Sequence, residues 1–399
     1  MAYLFIGAGQ AGGALVDSVF KYKNMHLLAK PLAINSTAKD LINLKNIDKK
    51  DWIGISENSG LIKGTTIGFE ERVAGGFGKN PIKAGEAIQS YYKELKEILQ
   101  NRMQDGKKQK TPFVFIFLGL GGGTGSGISP YIANAIKYIS NKVKIIAVVV
   151  LPAHRKKNIA SKDKKDLDKD ESGDRQSWNA FYTLNRLKKY VDSFILVDNH
   201  RLAYLADLES YFPRYNDYIA ASIVDLVAGL LLEKIDPSKY NIGMPVIDIN
   251  DIITATGFDI KGKKVEPGYA VLGRASELTK SLAGYFVPFF GYKKLDTLML
   301  LQVAIEKLSV ADVSIGACEK NLALLRVPAF YLKHSKKSAD LKSIEQAMLQ
   351  YSKMNESHIG VSLTKRNLAS LTILYTFKFE DLKRLRMIEK LARDFEERQ

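Results

Sequence analysis

Gly121, Gly122, Gly123, Thr124, Gly125, Ser126 and Gly127 follow one another without interruption. Glycine leaves backbone N–H groups with nothing in front of them, and Thr124 and Ser126 add hydroxyl donors. Donors at this density suit an anion, above all a phosphate at a helix N-terminus. A plain turn needs one or two glycines, and this stretch holds five in seven positions. It is not a P-loop of the Walker type, which places Lys ahead of its final Ser or Thr. Two more glycine strings accompany it. Gly7, Gly9 and Gly12, with Gln10 and Ala11 between, fit the G-x-G-x-x-G dinucleotide fingerprint. A nicotinamide site also wants an acid at the end of the next strand. That strand ends Ile34-Asn35-Ser36-Thr37 with no carboxylate, so the dehydrogenase reading loses its second leg. The third string, Gly75-Gly76-Phe77-Gly78-Lys79-Asn80-Pro81, is a second candidate anion cradle. Its plainer reading is a flexible loop with Pro81 at the first position of a helix.

The elements that must position these strings are legible on either side of them. Residues 3–7, 31–35, 113–118 and 143–151 are apolar, β-branched or aromatic runs of strand length. Helices are expected from about Ala14 to Tyr22, Ile82 to Gln100 and Tyr131 to Ile139. The pattern is α/β with glycine-rich strand-to-helix turns. Residues 38–70 read as a short helix and then loop. Residues 154–175, dense in mixed charge, read as a surface loop that cannot bury a core. A helix from Trp178 to Val191, a strand at Phe194 to Val197 and a long apolar helix from Tyr218 to Lys234 follow. Beyond Gly257 the order is β-α-β-α-β without glycine-rich loops. Glu380 to Gln399 is an amphipathic helix, whose plain reading is packing on its own domain.

The string from Gly121 to Gly127 resembles the signature of the tubulin/FtsZ family of self-assembling GTPases. Ala33-Ile34-Asn35-Ser36, Gly9-Gln10-Ala11-Gly12-Gly13 and Val246-x-Asp248-x-x-Asp251 look closer to the archaeal CetZ branch of that family. The resemblance implies a Rossmann-like GTP-binding domain (1–217), a central helix (218–236), a catalytic loop with the helix after it (237–260), and a smaller α/β C-terminal domain (261–399). It implies GTP or GDP with Mg2+ carried by the nucleotide. It also implies a nucleotide site built from Gly9, Gln10, Ala11, Gly12, Asn35, Gly78, Asn80, Gly121, Gly122, Gly123, Thr124, Gly125 and Ser126, in which the string ending Gly78-Lys79-Asn80-Pro81 resembles the loop that senses the γ-phosphate.

For guanine, the resemblance implies Asn199 at a strand end, Phe212 stacking on the base and Asn216 reading its edge. Tyr211 with Tyr215 is a rival register, and helix capping or core packing is the plainer reading of all of them. Asp248 and Asp251 are similar to the acids with which one subunit polarises water at its neighbour's nucleotide. Their plainer reading is a pair of loop acids capping a helix. Val246 stands where FtsZ carries Asn. Glu171, Asp174 and Arg175 fall where the family contacts ribose. The partner implied is the protein itself, in a longitudinal head-to-tail filament, with a membrane or accessory protein besides. A role in cell shape or motility goes with the CetZ likeness. The alternative is a nucleotide-binding filament scaffold that does not hydrolyse.

Composition bounds the rest. The chain has 399 residues, 46% of them hydrophobic, which suffices for two domains and a large core. No run of about 18 apolar residues occurs. The single Cys318 excludes an internal disulfide and a cysteine metal site. A cytoplasmic protein, with membrane association left open, is the expectation. The net charge of +16 is spread along the whole chain and comes without any nucleic-acid motif. It reads as a solvated basic surface.

Overall fold

The computed structural model describes residues 3–105, 109–153, 164–202, 208–228, 247–260, 263–280, 291–333 and 338–399. Its spine is a twelve-stranded sheet. Strands β1 (Tyr3–Ala8), β2 (Ala29–Asn35), β3 (Trp52–Ser56) and β4 (Gly60–Lys63) form one flank. A two-residue hairpin, β5 (Gln104–Asp105) with β6 (Gln109–Lys110), stands apart from the sheet. Strands β7 (Phe113–Gly119), β8 (Lys144–Leu151) and β9 (Ser193–Asp198) pair outward from β1 in that order, all parallel. The later strands are β10 (Gly257–Ile260), β11 (Lys263–Leu278), β12 (Lys320–Val327), β13 (Glu356–Leu363) and β14 (Leu368–Phe377). β11 pairs in parallel with β9, so the sheet crosses the boundary expected between 1–217 and 261–399 without a gap. β14, β12 and β13 continue it, and β10 pairs with β11 off the main path.

Alternation along the strands builds two cores. Val114, Ile116 and Leu118 of β7 face one layer, while Phe113, Phe115 and Phe117 face the other. A strand covered on both faces must be apolar throughout, which is why the sequence there is continuous Val, Ile and Phe. The first layer holds helices α4 (Pro81–Ser90), α5 (Tyr92–Met103), α6 (Thr124–Ile139) and α7 (Lys164–Leu187), joined by the terminal helix Lys383–Glu396. The second holds α1 (Gly9–Phe20), α8 (Leu208–Ala228) and α9 (Ile249–Thr256). Short helices α2 (Ala38–Ile42) and α3 (Phe69–Arg72) lie between β2 and α4.

Several boundaries differ from the sequence reading. Residues 164–175 are helical, belonging to the start of α7 rather than to a loop; 154–163 lie outside the described residues. The segment 38–70 contains β3 and β4, whose glycines and short length hid them. The long apolar helix starts at Leu208 instead of Tyr218, carrying Pro213 inside it, and 229–246 lie outside the described residues, Val246 among them. α8 is pinned to the later strands through Asp225. That carboxylate accepts from Arg274 Nε at 2.8 Å, Arg326 Nη1 at 3.0 Å, and the Ser370 and Thr372 hydroxyls at 3.2 Å each.

The terminal helix does not pack on its own half alone. It lies along α7, with Trp178 Nε1 donating to Glu396 at 2.7 Å and Arg398 to Asp174 at 2.6 Å. Leu385 and Ile388 are fully buried, so its apolar face is already spent inside the molecule. At its start Arg384 pairs with Asp198 at 3.1 Å and also donates to the Pro152 carbonyl. No helix among the described residues is long and apolar enough to cross a membrane.

Candidate functional site

β1, β2, β7, β8 and β9 run parallel, so their C-terminal ends share one edge of the sheet. Ala8 pairs with Ile34 and Leu118, Gly119 with Val150, and Leu151 with Asp198. From β1 the chain turns into α1 on one face of the sheet, and from β7 it turns into α6 on the other. That divergence is the switch point of a doubly wound sheet, where such folds bind ligands. Both glycine strings leave from it.

The helices start inside the glycine strings, earlier than the sequence suggested. α1 begins at Gly9, whose φ is +70°, and α6 begins at Thr124. Glycine reads as a helix breaker, but a first turn makes no intrahelical N–H bonds in any case. Its bare amides stay available there. Pro130 lies within α6 and removes the N–H that would have bonded the Ser126 carbonyl. Thr183 of α7 donates to that carbonyl instead, at 3.2 Å.

The three strings meet. A Cβ on Gly125 would stand 2.7 Å from the Ala8 carbonyl, so the signature turn is seated on the end of β1. A Cβ on Gly123 would stand 2.8 Å from the Asn80 amide, so the third string is seated on the same turn. Ser36 and Thr124 share a hydroxyl hydrogen bond of 2.7 Å, which brings in the end of β2. Asn35 is buried beside it, accepting from Ser36 N at 2.8 Å and donating to Asp40 at 2.9 Å. By contrast a Cβ on Gly122 or Gly78 would meet nothing within 4 Å, and both residues are exposed. The result is a shelf of crowded glycines that is open at Gly122 and at Gly78.

Individual side chains carry different weights. Gln10 is exposed and Ala11 half-buried, while Gly9 is buried against Gly125 of the signature turn and Gly12 against Phe117 O of β7. Gly121 is half-buried beside Pro152 and Gln176. The Ser126 hydroxyl does not face the open space as the sequence suggested. It is buried and donates to Leu120 O at 2.7 Å, closing the turn on itself. Asn80 spends its carbonyl oxygen capping α4, accepting from Ile82 N at 3.0 Å and Lys83 N at 3.2 Å. Asn199 opens the turn after β9 and is half-buried. Phe212 and Asn216 stand one turn apart on α8, both half-buried. The rival Tyr215 is committed elsewhere, donating to Ser309 O at 3.1 Å and stacked on Tyr218. Burial drives its phenol well above the usual range.

Asp248 and Asp251 form a capping box at the start of α9. Asp248 Oδ1 accepts from Asn250 N at 2.6 Å and Asp251 N at 3.1 Å, and Asp251 Oδ2 accepts from Asp248 N at 2.7 Å. This is the plainer reading given above, and both acids keep one carboxylate oxygen outside the box. Their place in the fold is informative. The Tyr3 phenol is pushed up by burial and then by the Asp248 carboxylate. Tyr3 opens β1, and Gly9 follows its end. α9, which these acids open, ends against the start of β9, since Gly268 pairs with Ser193 and a Cβ on it would stand 2.2 Å from Thr256 O. The helix therefore lies toward the sheet edge opposite the glycine shelf, a strand length of roughly 20 Å from it.

Sequence reasoning missed Asn179. Its side chain is fully buried on α7, and its Nδ2 donates to Lys79 O at 2.9 Å, Gly121 O at 3.1 Å and Gly122 O at 3.2 Å. The signal was present: Asn179 and Thr183, four apart, interrupt a stripe that continues through Ala180, Leu184 and Leu187. Polar residues on a buried helical stripe must have polar partners. Asp174, one of the ribose candidates, pairs with Arg398 at 2.6 Å.

Comparisons with known proteins agree with this architecture. The GTPase domain of the Tubulin/FtsZ family matches residues 3–207. The tubulin-like protein CetZ of Pyrococcus abyssi is 29% identical over 233 residues, 57% of this chain and 53% of that protein. CetZ1 of Haloferax volcanii is 34% identical over 76 residues, 18% of this chain and 19% of that protein. The chain thus spans about half the length of the Pyrococcus relative it matches. Among solved structures, a GTPγS-bound protofilament of CetZ2 from Haloferax volcanii superposes with a TM-score of 0.70 at 17% identity, covering 100% of this chain and 99% of that one. The GDP-bound monomer of CetZ1 from the same organism gives 0.70 at 19% identity, covering 99% and 100%. At these identities the superpositions speak for the fold.

Proposed function

Since the chain belongs to the Tubulin/FtsZ family, we propose that it binds GTP, assembles head to tail with copies of itself, and hydrolyses the nucleotide where two copies meet. One observation carries the reading: the glycine shelf gathers at the C-terminal ends of the parallel strands, while the helix that Asp248 and Asp251 open packs against the start of β9 at the other edge. Acids a strand length away cannot reach a phosphate held in their own molecule. They can reach one held by the next molecule stacked on that edge. In this reading the amides of Gly9 to Gly12, Gly121 to Ser126 and Gly78 to Asn80 take the phosphates, with Asn35 beside them. Asn199, Phe212 and Asn216 take the base. Asp248 and Asp251 orient the attacking water and accept its proton as the γ-phosphoryl group leaves GDP.

Mg2+ would come with the nucleotide and neutralise phosphate charge. Among the described residues no group of three or more His, Cys, Asp and Glu could hold it without the phosphates. A role in cell shape or motility follows the likeness to CetZ proteins. The capping box favours a second reading, a nucleotide-binding scaffold without turnover, because each acid already has one oxygen engaged.

GTP hydrolysis measured against protein concentration, with light scattering on the same samples, separates the two. Specific activity that climbs with scattering, and is lost in Asp251→Ala while scattering persists, supports the shared site. Scattering without turnover in the wild type supports the scaffold. Activity per molecule that stays flat, with no scattering, overturns assembly-coupled hydrolysis.

A further inference from the structure

Gly78 and Lys79 both stand in the left-handed region, with φ of +53° and +59°. Lys79 is not glycine, and such a conformation persists only where its surroundings impose it. The turn has anchors on its own strand of chain: Asn80 N donates to Phe77 O at 2.8 Å, and Asn80 caps α4. The Lys79 carbonyl is held from outside, by Asn179 Nδ2. The same nitrogen bonds the Gly121 and Gly122 carbonyls of the signature turn. One buried amide thus ties the two turns together. Its orientation follows from the network, since reversing it would set an oxygen against three carbonyls. In this arrangement Asn179 Oδ1 is buried with no donor among the described residues. A buried acceptor without a donor is costly, and a position that served packing alone would be better filled by an apolar side chain. The network is one donor short as it stands.

We propose that Asn179 is the positioning residue that fixes the spacing between the Gly121–Gly123 turn and the Gly78–Asn80 turn, and so sets the preference of the site for a nucleoside triphosphate over a diphosphate. This rests on the nucleotide-binding reading given above, with the Gly78–Asn80 turn taking the terminal phosphate as the family resemblance implies. The signature turn has other supports. Ser126 closes it through Leu120 O, and Gly127 N donates to Gly123 O at 2.9 Å. The Gly78–Asn80 turn depends more on α7. Losing Asn179 therefore releases the turn that the terminal phosphate needs and leaves the one that a diphosphate already uses. Thr183 is the internal control, because it touches the Ser126 carbonyl and its own helix and nothing of the third string.

The test is titration of the full chain with GTPγS and with GDP, below the concentration at which scattering begins. In Asn179→Ala the GTPγS affinity falls by about tenfold, the worth of a buried hydrogen bond, while GDP affinity moves by less than roughly threefold. Thr183→Val moves both nucleotides alike. If Asn179→Ala lowers both equally, or neither, the proposal is overturned. A wild type that holds the two nucleotides equally also overturns it, yet leaves nucleotide binding standing. A wild type that binds neither sinks the nucleotide reading itself. Should Asn179→Ala fail to fold by circular dichroism, Asn179→Ser keeps one donor. A partial loss of the GTPγS preference in that variant supports the proposal, and an unchanged ratio overturns it.

Discussion

Gly122 and Gly125 are three residues apart in one string and answer to different demands. A Cβ on Gly122 would enter open space, whereas one on Gly125 would stand 2.7 Å from Ala8 O and 3.3 Å from Gly119 O. Backbone cannot yield as a flexible side chain does, so the second methyl must push β1 and the signature turn apart. Gly122→Ala is expected to leave the melting temperature of the nucleotide-free protein unchanged and to weaken GTP binding by about tenfold or more, since its methyl occupies the phosphate side. Gly125→Ala is expected to lower both. Calorimetric melting with parallel nucleotide titration checks the pair, and a Gly122→Ala protein that melts early with full affinity would reverse the assignment. The sequence identified the string but not this division, because spacing alone does not say which glycine meets protein and which meets solvent.

At the scale of elements, the terminal helix is held by an ion pair in which both partners are shielded from water. Asp198 has no exposed side-chain surface and Arg384 has 4%. Removing one partner strands the other charge, so Arg384→Met is expected to destabilise the fold by roughly 3–5 kcal/mol. Urea unfolding measures it, and a loss below about 1 kcal/mol, the ceiling for surface pairs, would contradict the burial. The helix itself was legible, because Leu382, Leu385, Ile388, Leu391 and Phe395 repeat at helical spacing. Its seat was not, since Asp198 stands 186 residues earlier. The strands β1, β7 and β8 were readable for a related reason: unbroken apolar runs admit few other uses. β13 was missed because Glu356, Ser357 and His358 open it with polar residues on a half-exposed edge.

At the scale of the molecule, burial affects the titration of several phenols and one thiol together. It pushes Tyr218 and Tyr331 up to about 12, and Cys318 likewise to about 12. Tyr269 and Tyr375 are driven higher still. In the unfolded chain these groups titrate near 10 for tyrosine and about 9 for cysteine. The folded state therefore holds protons that the unfolded state gives up. The stability from keeping them neutral is complete below about pH 9 and is lost progressively as the pH rises toward 12. Urea midpoints at about pH 8 and about pH 11 should show a steep fall, and equal midpoints would refute it. Tyr269 on β11 and Tyr375 on β14 carry this into the sheet itself, where β11 is joined in parallel to β9.

The pair between Asp198 and Arg384 also sets an order of events during synthesis. Every glycine of the shelf has left the ribosome by the time Asp198 is made. Its counter-ion emerges 186 residues later, a delay of about 10–40 s at ordinary translation speeds. Through that interval the nascent chain carries a finished phosphate shelf beside an unmatched carboxylate. Pairing of Arg384 with Asp198, rather than completion of the glycine-rich half, is then the moment at which the terminal helix locks onto that half.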